Sequence, residues 1–294
     1  MSPIRPLSLI LLLLTGCQTM TTQAPTPAPA PVAAPVTGPA ANDNLNAVVW
    51  FQSSVEYRLV AGQTWRSALA PLDKAIKTPD WDALAKDERD TPARGLPPAI
   101  IVDVDETVLD NSIYEARQIR DNKEFDKASS QAWVDEQAAT AVPGAVEFLQ
   151  AAAHRGVIVF YISNRDVSQS AATLENLRKR GFPVNDASQL LFAGTVVPDC
   201  EQIGSAKGCR RKLVGRTHRV LMLFGDQLGD LINIPLNTPE GREQTVAPYL
   251  GWVGERWFVL PNPMYGSWLQ SLYDKDTAKT PEERRQQIYQ RLHY

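Results

Sequence analysis

Asp103 and Asp105 stand at alternate positions at the end of the apolar run Ile100-Ile101-Val102, followed by Glu106 and the hydroxyl of Thr107. On a continuing strand, residues two apart share one face, and carboxylates forced together call for a proton or a cation between them. A second acidic pair, Asp226 and Asp230, follows Val220-Leu221-Met222-Leu223-Phe224 in the segment Gly225-Asp226-Gln227-Leu228-Gly229-Asp230. Oxygen-rich clusters of this kind suit Mg²⁺, which takes carboxylate, carbonyl and water oxygens. A third apolar run, Val157 to Ile162, ends in Ser163-Asn164-Arg165. Acids, a hydroxyl and a guanidinium at three run ends point to metal-assisted phosphoryl transfer, where charge on phosphate oxygens must be stabilised.

Nearly continuous apolar runs read as buried parallel strands, whose carboxyl ends carry the chemistry in open α/β sheets. Strands are expected at 100–104, 157–162, 190–192, 220–224 and 257–260. Helical spacing places one or two helices over 44–77, with Val48, Phe51, Val55 and Leu59 and then Trp65, Leu69, Leu72 and Ile76 on the apolar face. Another helix runs from about Ser168 to Arg180 and stops at Gly181. A last one starts at Thr280, with Pro281 in its first turn and Glu283 at the reciprocal capping position. Strands alternating with helices make an α/β fold with a mostly parallel sheet. About 50 residues separate the first two strands, so part of this connection is expected to form a small cap.

The first 17 residues belong to targeting rather than to the fold. Leu7 to Leu14 is too short for a permanent membrane span, which needs roughly 20 residues. Thr15-Gly16-Cys17 resembles a bacterial lipobox, in which Cys17 is lipidated and becomes the mature N-terminus; an ordinary signal peptide is the alternative. Gln18 after the cysteine resembles the outer-membrane form of that signal. Residues 18–41 are rich in Thr, Ala and Pro and free of charge and aromatics, as in an extended tether. A net charge of −3 and no basic stripe exclude binding of a nucleic acid polymer. Cys200 and Cys209 are the other two cysteines, and an oxidising compartment would allow a bond between them. His154 and His218 read as helix or turn histidines.

The segment Asp103-Val104-Asp105-Glu106-Thr107-Val108-Leu109-Asp110-Asn111 resembles the first motif of the haloacid-dehalogenase superfamily. Its form is that of the class C bacterial acid phosphatase / lipoprotein e (P4) 5'-nucleotidase family. The likeness extends through Ala141-Val142-Pro143-Gly144-Ala145, Tyr161-Ile162-Ser163-Asn164-Arg165, the acidic segment at 225–230 and Asn262-Pro263-Met264-Tyr265-Gly266-Ser267-Trp268. It covers most of residues 44–270 and implies a Rossmann-like, mostly parallel sheet with a small, mainly helical cap. The expected organisation is a signal at 1–17, a tether at 18–41 and an N-terminal helical region at 42–97. A phosphatase core follows at 98–270, with a cap insertion at about 111–142, then a C-terminal helical segment at 271–294.

The resemblance implies Asp103 as nucleophile and Asp105 as general acid and base, together performing aspartyl-phosphate hydrolysis of phosphomonoesters. It also implies Mg²⁺ held by Asp103, Asp226, the Asp105 carbonyl (leaving that side chain free) and, through water, Asp230. Ser163, Asn164 and Lys207 would bind phosphate, with Arg210 or Arg211 as fallback contacts. Arg165 would contact substrate or pair with an acidic neighbour. Tyr114 and Tyr265 would line the leaving-group pocket, where an aromatic ring stacks on a nucleobase or an aryl ester. The expected substrates are small phosphomonoesters, including nucleoside monophosphates, met by a lipid-anchored outer-membrane enzyme facing the periplasm or the cell surface. A phosphotransferase to alcohols and a catalytically silent lipoprotein are the alternative functions, and a homodimer is left open.

Overall fold

The computed structural model describes residues 41–273 and 279–294. The signal, Cys17 and nearly all of the tether lie outside the described residues. No helix among those described is long and apolar enough to cross a membrane.

Three helices open the fold where the sequence suggests one or two: α1 (Leu45–Ser53), α2 (Val55–Ser67) and α3 (Leu69–Lys77). The first break is Ser54, which is extended (φ −77°, ψ 143°) and accepts the Tyr57 N–H on its hydroxyl. A serine in that conformation is a favoured helix N-cap, and the restart changes the buried face: Val55 and Leu59, expected on the apolar stripe, are exposed, while Tyr57, Ala61 and Trp65 face the core. Trp65 on α2 stacks on Phe224 at 4.3 Å between ring centroids, pinning the helices to the sheet.

The sheet begins with β1 (Pro98–Val102). A two-residue antiparallel pairing of β2 (Leu109–Asp110) with β3 (Thr140–Ala141) then brackets α4 (Ser112–Arg120) and α5 (Lys127–Glu136). Gly144 precedes α6 (Ala145–Ala153) at φ +88°, and a Cβ there would lie 3.2 Å from Gly62 Cα and Trp65 Cβ. β4 (Ile158–Asp166) runs past the expected end at Ile162 and carries Ser163-Asn164-Arg165 within the strand. A 3₁₀ turn capped by Asp166 follows it, so α7 (Ser170–Lys179) starts two residues later than the apolar pattern suggests.

β5 (Leu190–Ala193), α8 (Gly208–Thr217) and β6 (Arg219–Gly225) come next. The chain closes with α9 (Leu228–Leu231), α10 (Pro239–Val246), β7 (Trp257–Val259), α11 (Ser267–Gln270) and α12 (Pro281–Tyr289). At α12 the Thr280 hydroxyl accepts the Glu283 N–H while Glu283 accepts that of Thr280, the reciprocal cap expected.

The strand order is β5-β4-β1-β6-β7, and every pairing is parallel. All seven residues of β6 are buried, which accounts for its unbroken apolar run. From β1 the chain winds outward through β4 and β5, then returns to the other side of β1 for β6 and β7. Such a reversal opens a crevice at the carboxyl ends of the strands. Asp103, Ser163 and Asp226 lie at or beside that reversal, contributed by β1, β4 and β6 respectively, with β1 in the middle.

Candidate active site

Asp103 prolongs β1 by one residue, its N–H donating to Phe224 O at 2.9 Å. Its carboxylate is buried against the Lys207 ammonium, which also contacts Asp230 at 2.7 Å. Carboxylate oxygens of Asp103, Asp226 and Asp230 all lie within 4.8 Å of one another. Asp226 is held by the amides of Gln227 and Asn262, each donating to Oδ2 at 2.8 Å. Asp230 turns back toward β6 and accepts the Gln227 N–H at 2.9 Å. Gly225 makes that fold-back feasible, because a Cβ there would fall 2.3 Å from Asp230 Cβ. Thr107 Oγ1 lies 3.4 Å from Asp103 Oδ2 and 3.3 Å from Asp226 Oδ1.

Asp105 faces a different set of groups. Its carboxylate accepts from Ser163 Oγ at 3.0 Å, Asn111 Nδ2 at 2.9 Å and Arg165 Nη2 at 2.7 Å. Its side chain is therefore fixed by three neighbours. Arg165 takes the second of its two expected roles, pairing with an acid, and also donates to Thr173 Oγ1 at 2.9 Å. Asn111 is itself fixed: its Oδ1 accepts from Trp133 Nε1 at 2.8 Å, and its N–H donates to Glu106 Oε1 at 2.7 Å.

Burial pushes the Asp103 carboxyl well above the carboxylate range, opposed by Lys207 and reinforced by Asp230, Asp226 and Asp105. Burial and then Asp230 raise Asp226 to about 6, while hydrogen bonds from Gln227 and Asn262 oppose the rise. For Lys207 burial disfavours the charge, yet Asp103 and Asp230 outweigh it and hold the ammonium above its ordinary value. Burial also disfavours charge on Asp105, but the Arg165 guanidinium beside it prevails and lowers its carboxyl. The centre thus concentrates acids around one lysine. Hard oxygen donors, mutual repulsion and close spacing fit a divalent cation, with Asp103, Asp226 and Asp230 as the carboxylates that would hold it. The Asp105 carboxylate does not belong to that group.

The remaining expected residues divide. Lys207, expected in a charged loop, is the residue preceding α8. Neither fallback arginine replaces it at Asp103: Arg210 bonds the Ser163 carbonyl and reaches Asn164 Oδ1 at 2.7 Å, and Arg211 pairs with Glu88. Asn164 is exposed, with its carbonyl taken by Arg210. Tyr114 is 6% exposed and lies in the core, its hydroxyl 3.0 Å from Ser129 Oγ and accepting from Gln118. Tyr265 is half-buried, and its carbonyl accepts from Gln227, the same side chain that holds Asp226. Cys200 and Cys209 form a disulfide.

Sequence reasoning missed Glu106, Asn111, Gln227 and Asn262 as supports, although all lie inside the quoted motifs. Glu106 shows the strain of its place: φ is +58°, and its carboxylate is fully buried. Glu88 had no signal, since it stands in a proline-rich charged stretch that reads as a boundary.

The family model of the HAD superfamily, subfamily IIIB (acid phosphatase), matches residues 29–268. Acid phosphatase 1 of Solanum lycopersicum is 28% identical over 170 residues, covering 56% of this chain and 57% of the tomato protein. The class C acid phosphatase of Bacillus anthracis has a similar structure (TM-score 0.72, 30% identity), covering 85% of this chain and 97% of that one. A structure of the Bacillus enzyme with tungstate bound gives a TM-score of 0.73, again at 30% identity and with the same coverage. On the extent of the family match and the shared fold, the chain belongs to subfamily IIIB, the acid phosphatases, of the HAD superfamily.

Proposed function

We propose that this protein hydrolyses small phosphomonoesters through an aspartyl-phosphate on Asp103, with Asp105 moving the proton. The observation that carries the reading is the Asp103 carboxylate, buried at a strand-end crevice against Lys207 and within 4.8 Å of two further carboxylates. Mg²⁺ bound by Asp103, Asp226 and Asp230 would supply positive charge that shields the nucleophile from the phosphate. Lys207 exchanges its contact with Asp103 for a phosphoryl oxygen, acting as a compact cation. Ser163 Oγ, now donating to Asp105, turns to a second phosphoryl oxygen. The Bacillus structure with tungstate, a phosphate-like oxyanion, supports a site suited to such a group.

In the first displacement an Asp103 oxygen bonds phosphorus, the ester bond breaks, and the proton on Asp105 passes to the leaving oxygen. In the second, water attacks phosphorus, its proton returns to Asp105, and the Asp103–phosphorus bond breaks to release phosphate. Arg165 keeps Asp105 ionised in the free protein, the form that accepts a proton. Arrival of a phosphate dianion raises its proton affinity for the acid role.

Nucleoside monophosphates are the favoured substrates: the Tyr265 backbone carbonyl accepts from Gln227, which holds Asp226, and an aromatic ring reaching the crevice from that loop would stack on a nucleobase. Tyr114, buried within the helical insertion, supports that segment from inside. The resemblance of Thr15-Gly16-Cys17 to a lipobox supports a lipid anchor at Cys17, which would hold the enzyme at the outer membrane.

The deciding measurement is turnover of an aryl phosphate and a nucleoside monophosphate by wild type and Asp103→Asn, with and without a chelator. Asp103→Asn keeps the volume but removes the nucleophile, so activity should fall by at least about 10³-fold in a folded protein. Chelation should stop the wild type, and added Mg²⁺ should restore it. Near-native turnover by the variant would reject the nucleophile, and chelator-resistant turnover would reject the metal.

A further inference from the structure

Two charged side chains outside the proposed chemistry are almost completely buried. Glu88, at the end of the 3₁₀ turn Lys86–Glu88, is 1% exposed and Arg211 on α8 is 0% exposed. The guanidinium grips the carboxylate through two contacts, Nε to Oε2 at 2.6 Å and Nη2 to Oε1 at 2.5 Å. Nη1 donates to the carbonyls of Gly229 at 2.8 Å and Asp230 at 3.0 Å, and Nη2 reaches Asn233 Oδ1 at 3.3 Å. All five N–H donors of the guanidinium are thereby used.

Asn233 Oδ1 also accepts the Gly208 N–H at 3.1 Å, directly after Lys207. The approach is so close that a Cβ on residue 208 would sit 2.2 Å from the Asn233 amide. One buried arginine thus ties the turn carrying Asp230 to the start of the helix that follows Lys207. The two side chains then meet at 2.7 Å beside Asp103. Stability alone does not explain this arrangement, because well-packed apolar residues often replace a buried ion pair without loss. An apolar pair, however, could not hold two carbonyls and an amide at once.

We propose that Glu88 and Arg211 are a positioning pair that keeps Asp230 and Lys207 in register, and so sets the affinity of the acidic cluster for Mg²⁺. The inference rests on the functional reading above and deepens it. Mg²⁺ titration calorimetry without substrate, beside thermal midpoints, should compare wild type, Glu88→Gln and the double variant Glu88→Leu/Arg211→Met. Both variants should bind Mg²⁺ about 10- to 100-fold more weakly, the usual cost of losing support behind a ligand. The double variant leaves neither charge buried alone, so it should fold, with a midpoint lowered by the loss of the donor to the Gly229 and Asp230 carbonyls.

A folded double variant with wild-type Mg²⁺ affinity, whatever its midpoint, would overturn the proposal and leave the pair a purely structural element. Should the double variant not fold, Glu88→Gln decides, because it keeps the shape and an acceptor oxygen: unchanged Mg²⁺ affinity there would overturn the pair. A wild type that binds no Mg²⁺ would overturn the metal reading itself, a different result from tight binding shared by all variants.

Discussion

Individual residues in the crevice divide between those that would meet the phosphate and those that would meet what it is attached to. On the proposed reading Tyr265 belongs to the second group: it is half-buried, on the loop whose Asn262 holds Asp226 at 2.8 Å. Tyr265→Ala should lower kcat/KM for nucleotides and aryl phosphates about tenfold relative to small aliphatic phosphates, through lost stacking on the leaving group. Kinetics on both substrate types measure this directly. An equal loss on both would place Tyr265 in support of Asp226 and Gln227 instead. On the same reading Asp103 and Lys207 belong to the first group, and Asp230 contacts Lys207 from behind.

Two contacts between elements carry predictions of their own. Glu115 on α4 accepts from Asn44 Nδ2, at the start of α1, at 3.2 Å, and burial raises its carboxyl to about 7. Because the folded protein holds that proton more tightly than the unfolded chain, the contribution to stability is fullest below the ordinary glutamate value of 4.5 and is lost as pH rises toward 7. On the order of 2 kcal/mol should disappear across this window. Glu115→Gln, a mimic of the protonated form, should flatten thermal midpoint against pH there and be the more stable protein above pH 7. A midpoint curve identical to wild type would place the titration elsewhere.

The second contact is the disulfide from Cys200 to Cys209, which closes the loop containing Lys207 at the start of α8. Replacing both cysteines with serine should remove about 2 kcal/mol of stability by freeing the unfolded chain. Loosening Lys207 should also lower kcat/KM about tenfold. Wild-type kinetics in strong reductant should reproduce that loss; unchanged kinetics would show that α8 alone seats the lysine.

At the scale of the whole molecule, catalysis and placement are separate properties. The described residues hold the sheet, the crevice and the helices around them, whereas the segment that resembles a lipobox, with Cys17, precedes them in the sequence. Cys17→Ser in the full-length chain should therefore move the protein from the membrane to the soluble fraction without changing kcat. Fractionation followed by assay of both fractions checks this. Continued membrane association would place the attachment outside Cys17.

The parallel strands and the order of their polar ends were legible in the sequence because strands buried on both faces leave nearly unbroken apolar runs, as in Val220 to Phe224. The capped ends at Gly181 and Thr280 were legible for the same local reason. α8 was not: its buried side includes Arg210 and Arg211, so the apolar periodicity that marks a helix is missing. Nor could the chain show that Asp105 is bound by Ser163, Asn111 and Arg165, since that depends on side chains from separate elements converging. The pairing of Glu88 with Arg211, 123 positions apart, is the extreme case. Local sequence determined which residues could end up at the crevice, because burial and backbone preference act over a few neighbours. Only tertiary packing decided which charges face each other, because the energy of a buried charge is set by whatever the rest of the fold brings beside it.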